Sequence, residues 1–180
     1  MANRMLRTWL ILVIVIIAVG ALAGIALSCS NSSSPSEAPD FTLPTLTGAN
    51  ITLSELEGTP VVLNFWSISC PACRTQLPYL EAVAQQSGEE IKVIAINMID
   101  SAASVQNFFG EYEPAMIVAL DTNGEVFVNY CQNYNNPRTL FPFTLFVDSE
   151  GLVQYVQIGA FTSEAALWNK LHDVLGITIP

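Results

Sequence analysis

The sequence NFWSISCPACR, residues 64–74, carries an apolar run directly into two cysteines that are separated by two residues. The apolar run spans 59–67 and predicts a strand buried on both faces, as is typical of a central strand. From Pro71 onward, apolar residues recur at spacings of three and four until Gly88, which predicts a helix. The C-x-x-C pair therefore lies where a central strand ends and a helix begins.

A dithiol at the start of a helix has a chemical use. Unpaired backbone N–H groups and the helix dipole favour the thiolate of the first cysteine, Cys70, and make it the attacking nucleophile. Cys73 lies one turn further along and is placed to resolve a mixed disulfide. Pro71 suits the first helical turn, where its missing N–H costs nothing. We expect no cofactor other than a redox-active Cys70–Cys73 disulfide.

Two other interpretations of the C-x-x-C pair stay open. A zinc site needs two further ligands, and neither Cys131 nor His172 comes in a paired spacing, so no metal site is predicted. A purely structural disulfide is the alternative in an oxidising compartment. A C-x-x-C that opens a helix after a strand favours the redox pair over both.

The rest of the chain alternates between strand and helix patterns. Residues 91–99 predict a second apolar strand, and Ser101 is placed to cap a following helix. Residues 115–121 predict a short strand, and 122–130 a turn that leads into either a short helix or a strand. This order predicts an α/β domain with a mixed sheet.

The last third of the chain contains a hairpin and a helix. Residues 143–159 hold two β-rich runs around a turn in which Gly151 suits a positive φ. The final helix is predicted to begin at a Thr162 cap and to end at Gly176.

Four pieces of the chain resemble the membrane-tethered TlpA/ResA-type thiol–disulfide oxidoreductases of thioredoxin-like fold. Residues 38–66 resemble that family's N-terminal hairpin and first central strand, and 70–78 resemble its active-site helix. Residues 141–151 resemble its cis-proline loop and the hairpin that follows, and the N-terminal tether is the fourth piece. The resemblance covers about 38–175 and implies a thioredoxin-like α/β fold, with a central mixed sheet, flanking helices, an N-terminal hairpin and an N-terminal membrane anchor.

The resemblance also implies roles for residues near the cysteines. Pro142 is expected to be the cis-proline that faces the disulfide, and the backbone of Phe141 to be an edge with which a substrate chain pairs. Pro71 and Ala72, between the cysteines, are expected to bind substrate together with Phe141 and Thr144. An ordinary trans turn is the alternative for Pro142.

Several positions depart from the family pattern. Ser69 stands where a tryptophan usually precedes the first cysteine, and Asn64 stands where thioredoxin itself has a buried aspartate. Asp100, after the second strand, is a candidate proton-transfer group, with a dipole-favoured helix-start carboxylate as the alternative. Cys131 lies in the segment before Pro142, which is longer than is usual in the family. It is interpreted as a buried small hydrophobic residue, with a third redox-active thiol as the alternative.

The N-terminus has the pattern of a membrane segment. Residues 9–27 contain no charged residue, and Arg4 and Arg7 precede them. At about 1.5 Å per residue such a run spans roughly 28 Å, close to a hydrocarbon core. The chain has 6 Lys and Arg and 16 Asp and Glu; two of the cations precede the run and all the acids follow it, which leaves −12 after residue 28. The flanking arginines predict that everything after the run faces outward.

Retention or cleavage of that segment stays open. The sequence ALSC ending at Cys29 resembles a lipoprotein processing site, which would lipidate that cysteine, while an uncleaved anchor is equally consistent with the length of the run. We therefore divide the chain into a signal or anchor segment at 1–28, a flexible Ser-rich tether at 29–39 and a thioredoxin-like domain at 40–180. Either outcome leaves the domain tethered to the outer face of the cell membrane.

The function predicted from these patterns is disulfide exchange with protein thiols and disulfides outside the membrane. Relatives of this type mostly reduce, which implies a reductant fed by an upstream membrane electron donor, with apocytochrome c among the implied partners. A peroxiredoxin-like peroxidase is one alternative, in which Ser67 and Arg138 would replace that family's Thr and Arg. A redox-inert binding module is another. The strongly acidic composition argues against a nucleic-acid partner.

Overall fold

The structure is a computed structural model, and it describes residues 35–177. The strands of this part are β1 (Ser36–Glu37), β2 (Thr42–Pro44), β3 (Asn50–Thr52), β4 (Val61–Trp66), β5 (Lys92–Met98), β6 (Ile117–Asp121), β7 (Phe143–Val147) and β8 (Leu152–Ile158). The α-helices are α1 (Pro71–Ser87), α2 (Ala102–Phe109), α3 (Glu125–Asn133) and α4 (Glu164–Leu175). A 3-10 turn, Leu53–Leu56, follows β3.

The main sheet is mixed, as predicted. Its strand order is β1-β8-β7-β4-β5-β6, with β4, β5 and β6 parallel to one another. Strand β7 runs antiparallel to β4 on its other side, and β8 and β1 continue antiparallel from there. The predicted N-terminal hairpin is the separate β2-β3 pair. The architecture is the expected thioredoxin-like α/β fold with helices on both faces of a central sheet.

Strand β4 suits the centre of the sheet because five of its six side chains are hydrophobic and the sixth, Asn64, accepts hydrogen bonds from Gln76 and Thr144. All six residues are buried. Alternate side chains point to opposite faces of a strand, so Val62 and Trp66 pack on the face that α1 and α4 cover. Leu63 and Phe65 pack on the face that α3 and the N-terminal hairpin cover. Two hydrophobic clusters thus hold the strand that leads to the cysteines.

Helix α1 begins and ends as its sequence predicts. Cys70 is its N-cap residue and Pro71 occupies the first turn, while Gly88 ends it with a φ of 54°. Pro78 lies within the helix. The helix therefore starts directly at the C-x-x-C pair.

Three local expectations are corrected or resolved. The folded part begins before residue 40, because Ser36 and Glu37, which we assigned to the tether, pair with β8. The cap of α4 is Ser163, whose hydroxyl accepts the N–H of Ala166, and not Thr162. Residues of the ambiguous 122–130 segment form a helix, α3.

The predicted anchor at 1–28 and the lipidation candidate Cys29 lie outside the described residues. Within 35–177 no helix is both long enough and apolar enough to cross a membrane.

Candidate active site

Cys70 and Cys73 form a disulfide at the N-terminus of α1, with their Cα atoms 5.3 Å apart. The backbone N–H of Cys73 donates to the sulfur of Cys70 at 3.0 Å, which places that sulfur at a helix N-terminal donor. Cys70 is 7% exposed, whereas Cys73 is 1% exposed. The first cysteine is thus both the more accessible and the one whose thiolate the helix start favours.

The loop before β7 faces this disulfide. The Phe141–Pro142 peptide bond is cis, which confirms the predicted cis-proline. The carbonyl oxygen of Phe141 lies 3.9 Å from the sulfur of Cys70. This proximity follows from the sheet order. Strand β7 is the antiparallel neighbour of β4, and Phe143, the first residue of β7, pairs with Phe65 near the end of β4. The backbone before the proline and the nucleophilic sulfur therefore share one surface.

The expected substrate contacts divide into two groups. Pro71 and Ala72 are exposed and Phe141 is half-buried, so all three are accessible beside the disulfide. Thr144 is fully buried, and its hydroxyl donates to Oδ1 of Asn64 at 3.1 Å. Thr144 faces inward because every residue of β7 is buried, so the expectation that it touches substrate is corrected to a supporting role beneath the site.

A buried polar network that the sequence did not reveal lies beneath the start of α1. Gln76 is completely buried, and its Nε2 donates to Oδ1 of Asn64 at 2.8 Å and to Oγ1 of Thr144 at 3.0 Å. Its Oε1 accepts the backbone N–H of Phe161 at 2.8 Å. Gln76 thereby joins the helix to β4, to β7 and to the loop after β8. Its sequence signal was weak, because a lone glutamine on a helix usually faces solvent.

Asp100 connects the end of β5 to the loop before the cysteines. Its Oδ2 accepts the backbone N–H of Ile68 at 2.9 Å and the side-chain N–H of Asn97 at 3.0 Å. These bonds fix the loop two residues before Cys70. Proton transfer by Asp100 stays a prediction, since its hydrogen bonds run to the loop and to Asn97.

Glu81 is a second buried group that the sequence did not single out. It accepts the N–H of Ala115 at 2.8 Å, the hydroxyl of Tyr112 at 2.7 Å and the N–H of Met116 at 3.2 Å. Burial works to raise the pKa of Glu81, but these bonds, together with that from Gln85, outweigh it and hold the pKa below the usual value. The carboxylate ties the segment before β6 to α1.

Cys131 is a free cysteine that lies buried in α3. Burial raises the pKa of its thiol to about 11, against a smaller lowering by a hydrogen bond with Asn136. A thiol of that pKa is almost wholly protonated at neutral pH, and a protonated thiol is a poor nucleophile. The structure therefore favours the buried small hydrophobe over a third redox thiol.

The hydrogen bonds of the Cys70 sulfur within residues 35–177 run to Phe141 and Cys73, and to neither of the two residues of the peroxidase alternative. Ser67 is buried and its hydroxyl lies 3.2 Å from that of Ser69, and Arg138 is exposed in the loop before Pro142.

A disulfide at a helix start, opposite a cis-proline and above a central strand, defines a thioredoxin-like oxidoreductase that exchanges thiols and disulfides. The Redoxin family model matches residues 34–171. The thiol–disulfide oxidoreductase ResA of Bacillus subtilis is 30% identical over 149 residues, which cover 82% of this chain and 77% of that protein. The chain belongs to the Redoxin family, and within it to the TlpA/ResA type.

Two solved structures have the same fold. The crystal structure of a putative thiol:disulfide interchange protein DsbE from Chlorobium tepidum is 26% identical, with a TM-score of 0.66 over 77% of this chain and 95% of that one. The exposed lipoprotein thioredoxin Etrx1 of Streptococcus pneumoniae is 24% identical, with a TM-score of 0.63 over 76% of this chain and 100% of that one.

Proposed function

We propose that this protein reduces disulfides of other proteins on the outer side of the cell membrane. The observation that carries the proposal is the Cys70–Cys73 disulfide, with the sulfur of Cys70 beside the carbonyl oxygen of Phe141. That arrangement lets a substrate chain lie along the backbone of Phe141 while its sulfur meets Cys70.

The exchange proceeds in two steps that conserve electrons. In the dithiol form, the Cys70 thiolate attacks one sulfur of a substrate disulfide, forms a mixed disulfide and releases the other substrate sulfur as a thiolate. The thiol of Cys73 loses its proton and attacks the sulfur of Cys70, which releases the substrate as a dithiol and leaves the Cys70–Cys73 disulfide. An upstream membrane electron donor then restores the dithiol, and no cofactor beyond the cysteines takes part.

The direction of exchange is tested by the reduction potential of the pair. Thioredoxin has a potential of about −270 mV and the oxidant DsbA one of about −120 mV. We expect the potential of this protein, measured by equilibration with glutathione or dithiothreitol buffers, to lie below about −230 mV. A Cys131→Ser variant is the matched control, because it removes the remaining thiol of the domain without touching the pair. A value near that of DsbA would make the protein an oxidant.

Tethering and orientation are proposed from Arg4, Arg7 and the uncharged 9–27 run. The likeness to an exposed lipoprotein thioredoxin supports the same side of the membrane. Protease added to intact protoplasts is expected to degrade the domain, while a cytoplasmic marker protein stays intact. Full protection of the domain would contradict the orientation, and recovery of the intact domain in the medium would contradict the tether.

Apocytochrome c is the substrate class that the resemblance to ResA-type proteins implies. Cells that lack this protein are expected to lose holocytochrome c, and a thiol reductant in the medium is expected to restore it. A normal level of holocytochrome c in such cells would rule out apocytochrome c as the substrate. The proposal that the protein reduces disulfides would then still be tested by its reduction potential.

A further inference from the structure

Two large apolar side chains, on the segments after β5 and before β7, are exposed although their backbones are held in place. Ile99 is 64% exposed and Leu140 is 49% exposed. An exposed aliphatic side chain on a mobile loop is ordinary. An exposed aliphatic side chain on a fixed backbone next to a reactive sulfur is a candidate for contact with the reaction partner, because holding it there in advance lowers the entropy lost on binding.

Leu140 is fixed by the side chain of Asn136. The amide of Asn136 is buried, and it donates to the carbonyl oxygen of Leu140 at 2.7 Å and accepts the N–H of Leu140 at 2.9 Å. These two bonds close the loop that leads into Phe141. Leu140 is therefore held in place immediately before Phe141 in the chain, and the carbonyl oxygen of Phe141 lies beside the sulfur of Cys70.

Ile99 is fixed on the other side. Its φ is 65°, a conformation that is a genuine outlier for a β-branched residue. Its N–H donates to the carbonyl oxygen of Asp121 at 3.1 Å, and the next residue, Asp100, accepts the N–H of Ile68 in the loop before Cys70. Two neighbouring strands thus hold Ile99 in a strained conformation with its side chain in solvent. Strain of this kind tends to occur at functional sites.

The sheet order places residues 99 and 140 on opposite sides of the strand that leads to the nucleophile. Ile99 follows β5 and Leu140 precedes β7, and these strands are the two neighbours of β4, which leads to Cys70. Neighbouring strands lie about 4.8 Å apart, so positions on β5 and β7 are separated by roughly 10 Å. An extended peptide covers that span in about three residues.

We propose that Ile99 and Leu140 determine substrate specificity by contacting apolar side chains on the two sides of the substrate cysteine that Cys70 attacks. The partner is an extended polypeptide segment with a large aliphatic or aromatic residue within about two positions of its cysteine on each side. This inference rests on the proposed function, because it deepens the substrate class of the same site.

The test is a competition between two peptides that differ only in the residues beside their cysteine. Each carries one cysteine as a mixed disulfide with 2-mercaptoethanol; one has leucine two positions before and after the cysteine, and the other has serine there. The reduced full-length protein, in detergent, receives both peptides together. Mass spectrometry of the released peptide thiols gives the ratio of the two rate constants, which does not depend on the fraction of active protein.

We compare the wild type with Leu140→Ala, with Ile99→Asn and with the double variant. Asparagine is used at position 99 because it tolerates a positive φ better than most residues. Val128→Ala is the matched control, since Val128 is likewise an exposed aliphatic residue, 43% exposed, but lies on the outer side of α3.

The wild type is expected to prefer the leucine peptide by about tenfold, as is typical of a few methylene contacts in an open site. Each single variant is expected to lower that ratio to about threefold and the double variant to about one, while Val128→Ala keeps it. A wild-type ratio near one, or variants whose ratio equals that of Val128→Ala, would overturn the inference. A wild type that reduces neither these peptides nor a protein disulfide would overturn the proposed function, and the inference with it.

Discussion

Replacing Gln76 by leucine tests whether the buried network beneath the C-x-x-C helix stabilises the domain. The substitution leaves the backbone N–H of Phe161 buried without its acceptor, which costs about 1–3 kcal/mol. It also removes two bonds donated by Nε2, each worth about 0.5–1.5 kcal/mol. Oδ1 of Asn64 keeps the hydroxyl of Thr144, so no acceptor is orphaned there. Burial of the leucine side chain offsets part of this loss, which leaves a net destabilisation of about 2–3 kcal/mol.

Urea unfolding of the oxidised domain, residues 35–180, measures this difference. With an m-value in the usual range of about 1–3 kcal/mol/M, the midpoint should fall by about 0.7–3 M. Gln86→Leu is the control, because Gln86 is exposed on the same helix and its bond to Glu164 lies in solvent; it should change stability by no more than about 0.5 kcal/mol. A Gln76→Leu domain as stable as the control would refute the importance of the network.

Gln76→Glu tests the burial of the same position through the pH dependence of the stability of the domain. Complete burial disfavours an ionised carboxylate, so the folded-state pKa of the new glutamate is raised above the unfolded value of about 4.3. The unfolded chain then ionises first as the pH rises. The variant should therefore be closest to the wild type below about pH 4.3 and lose stability above it. A destabilisation that does not change with pH would mean that the carboxylate reaches water.

Three further outcomes are expected. Cys73→Ala should accumulate mixed disulfides through Cys70 on non-reducing gels, because no resolving thiol remains, whereas trapping mainly in Cys70→Ala would reverse the two roles. Cys131 should resist iodoacetamide in the folded protein at pH 8, where a thiol of pKa about 11 is roughly one-thousandth ionised, and react on unfolding; rapid native labelling would contradict its burial. The lowered pKa of Glu81 contributes stability that is present above its unfolded value and lost as pH falls through the folded one. Glu81→Gln should therefore cost about 1.5–3 kcal/mol at pH 7 and progressively less as the pH falls through the folded-state pKa, and a cost that stays constant down to acidic pH would contradict this.

The sequence predicted those elements whose pattern is both long and local. Strand β4 is a continuous apolar run, α1 has apolar residues at spacings of three and four between Pro71 and Gly88, and the β7-β8 hairpin surrounds Gly151, which has a φ of 80°. Each of these signals lies within the element itself.

Features that depend on distant parts of the chain could not be predicted. Strand β1 has two polar residues, and only its pairing with β8 makes it a strand. Adjacent Thr162 and Ser163 both belong to the residue types that cap helices, and the backbone of the completed fold decides between them. Gln76 looks like a surface glutamine until Asn64 and Thr144 from two other strands are placed beside it. The prediction that Thr144 binds substrate is wrong because the resemblance to the cis-proline loop fixes its position along the chain but not the direction of its side chain on β7.

The composition of the network beneath the disulfide has a consequence for proton-coupled electron transfer. Asn64, Gln76 and Thr144 are two amides and a hydroxyl, none of which gains or loses a proton in the physiological range. Below the pKa values of the thiols, reduction of the disulfide takes up two protons with two electrons. The network of Asn64, Gln76 and Thr144 can supply or accept neither of these protons. Each proton shifts a two-electron couple by about 30 mV per pH unit, so the midpoint potential should fall by roughly 60 mV per unit below the pKa of the Cys70 thiol and by roughly 30 mV per unit above it. An inflection beyond those of the two thiols would show that another group, with Asp100 as a candidate through its bond to the Ile68 N–H, gains or loses a proton together with the cysteines.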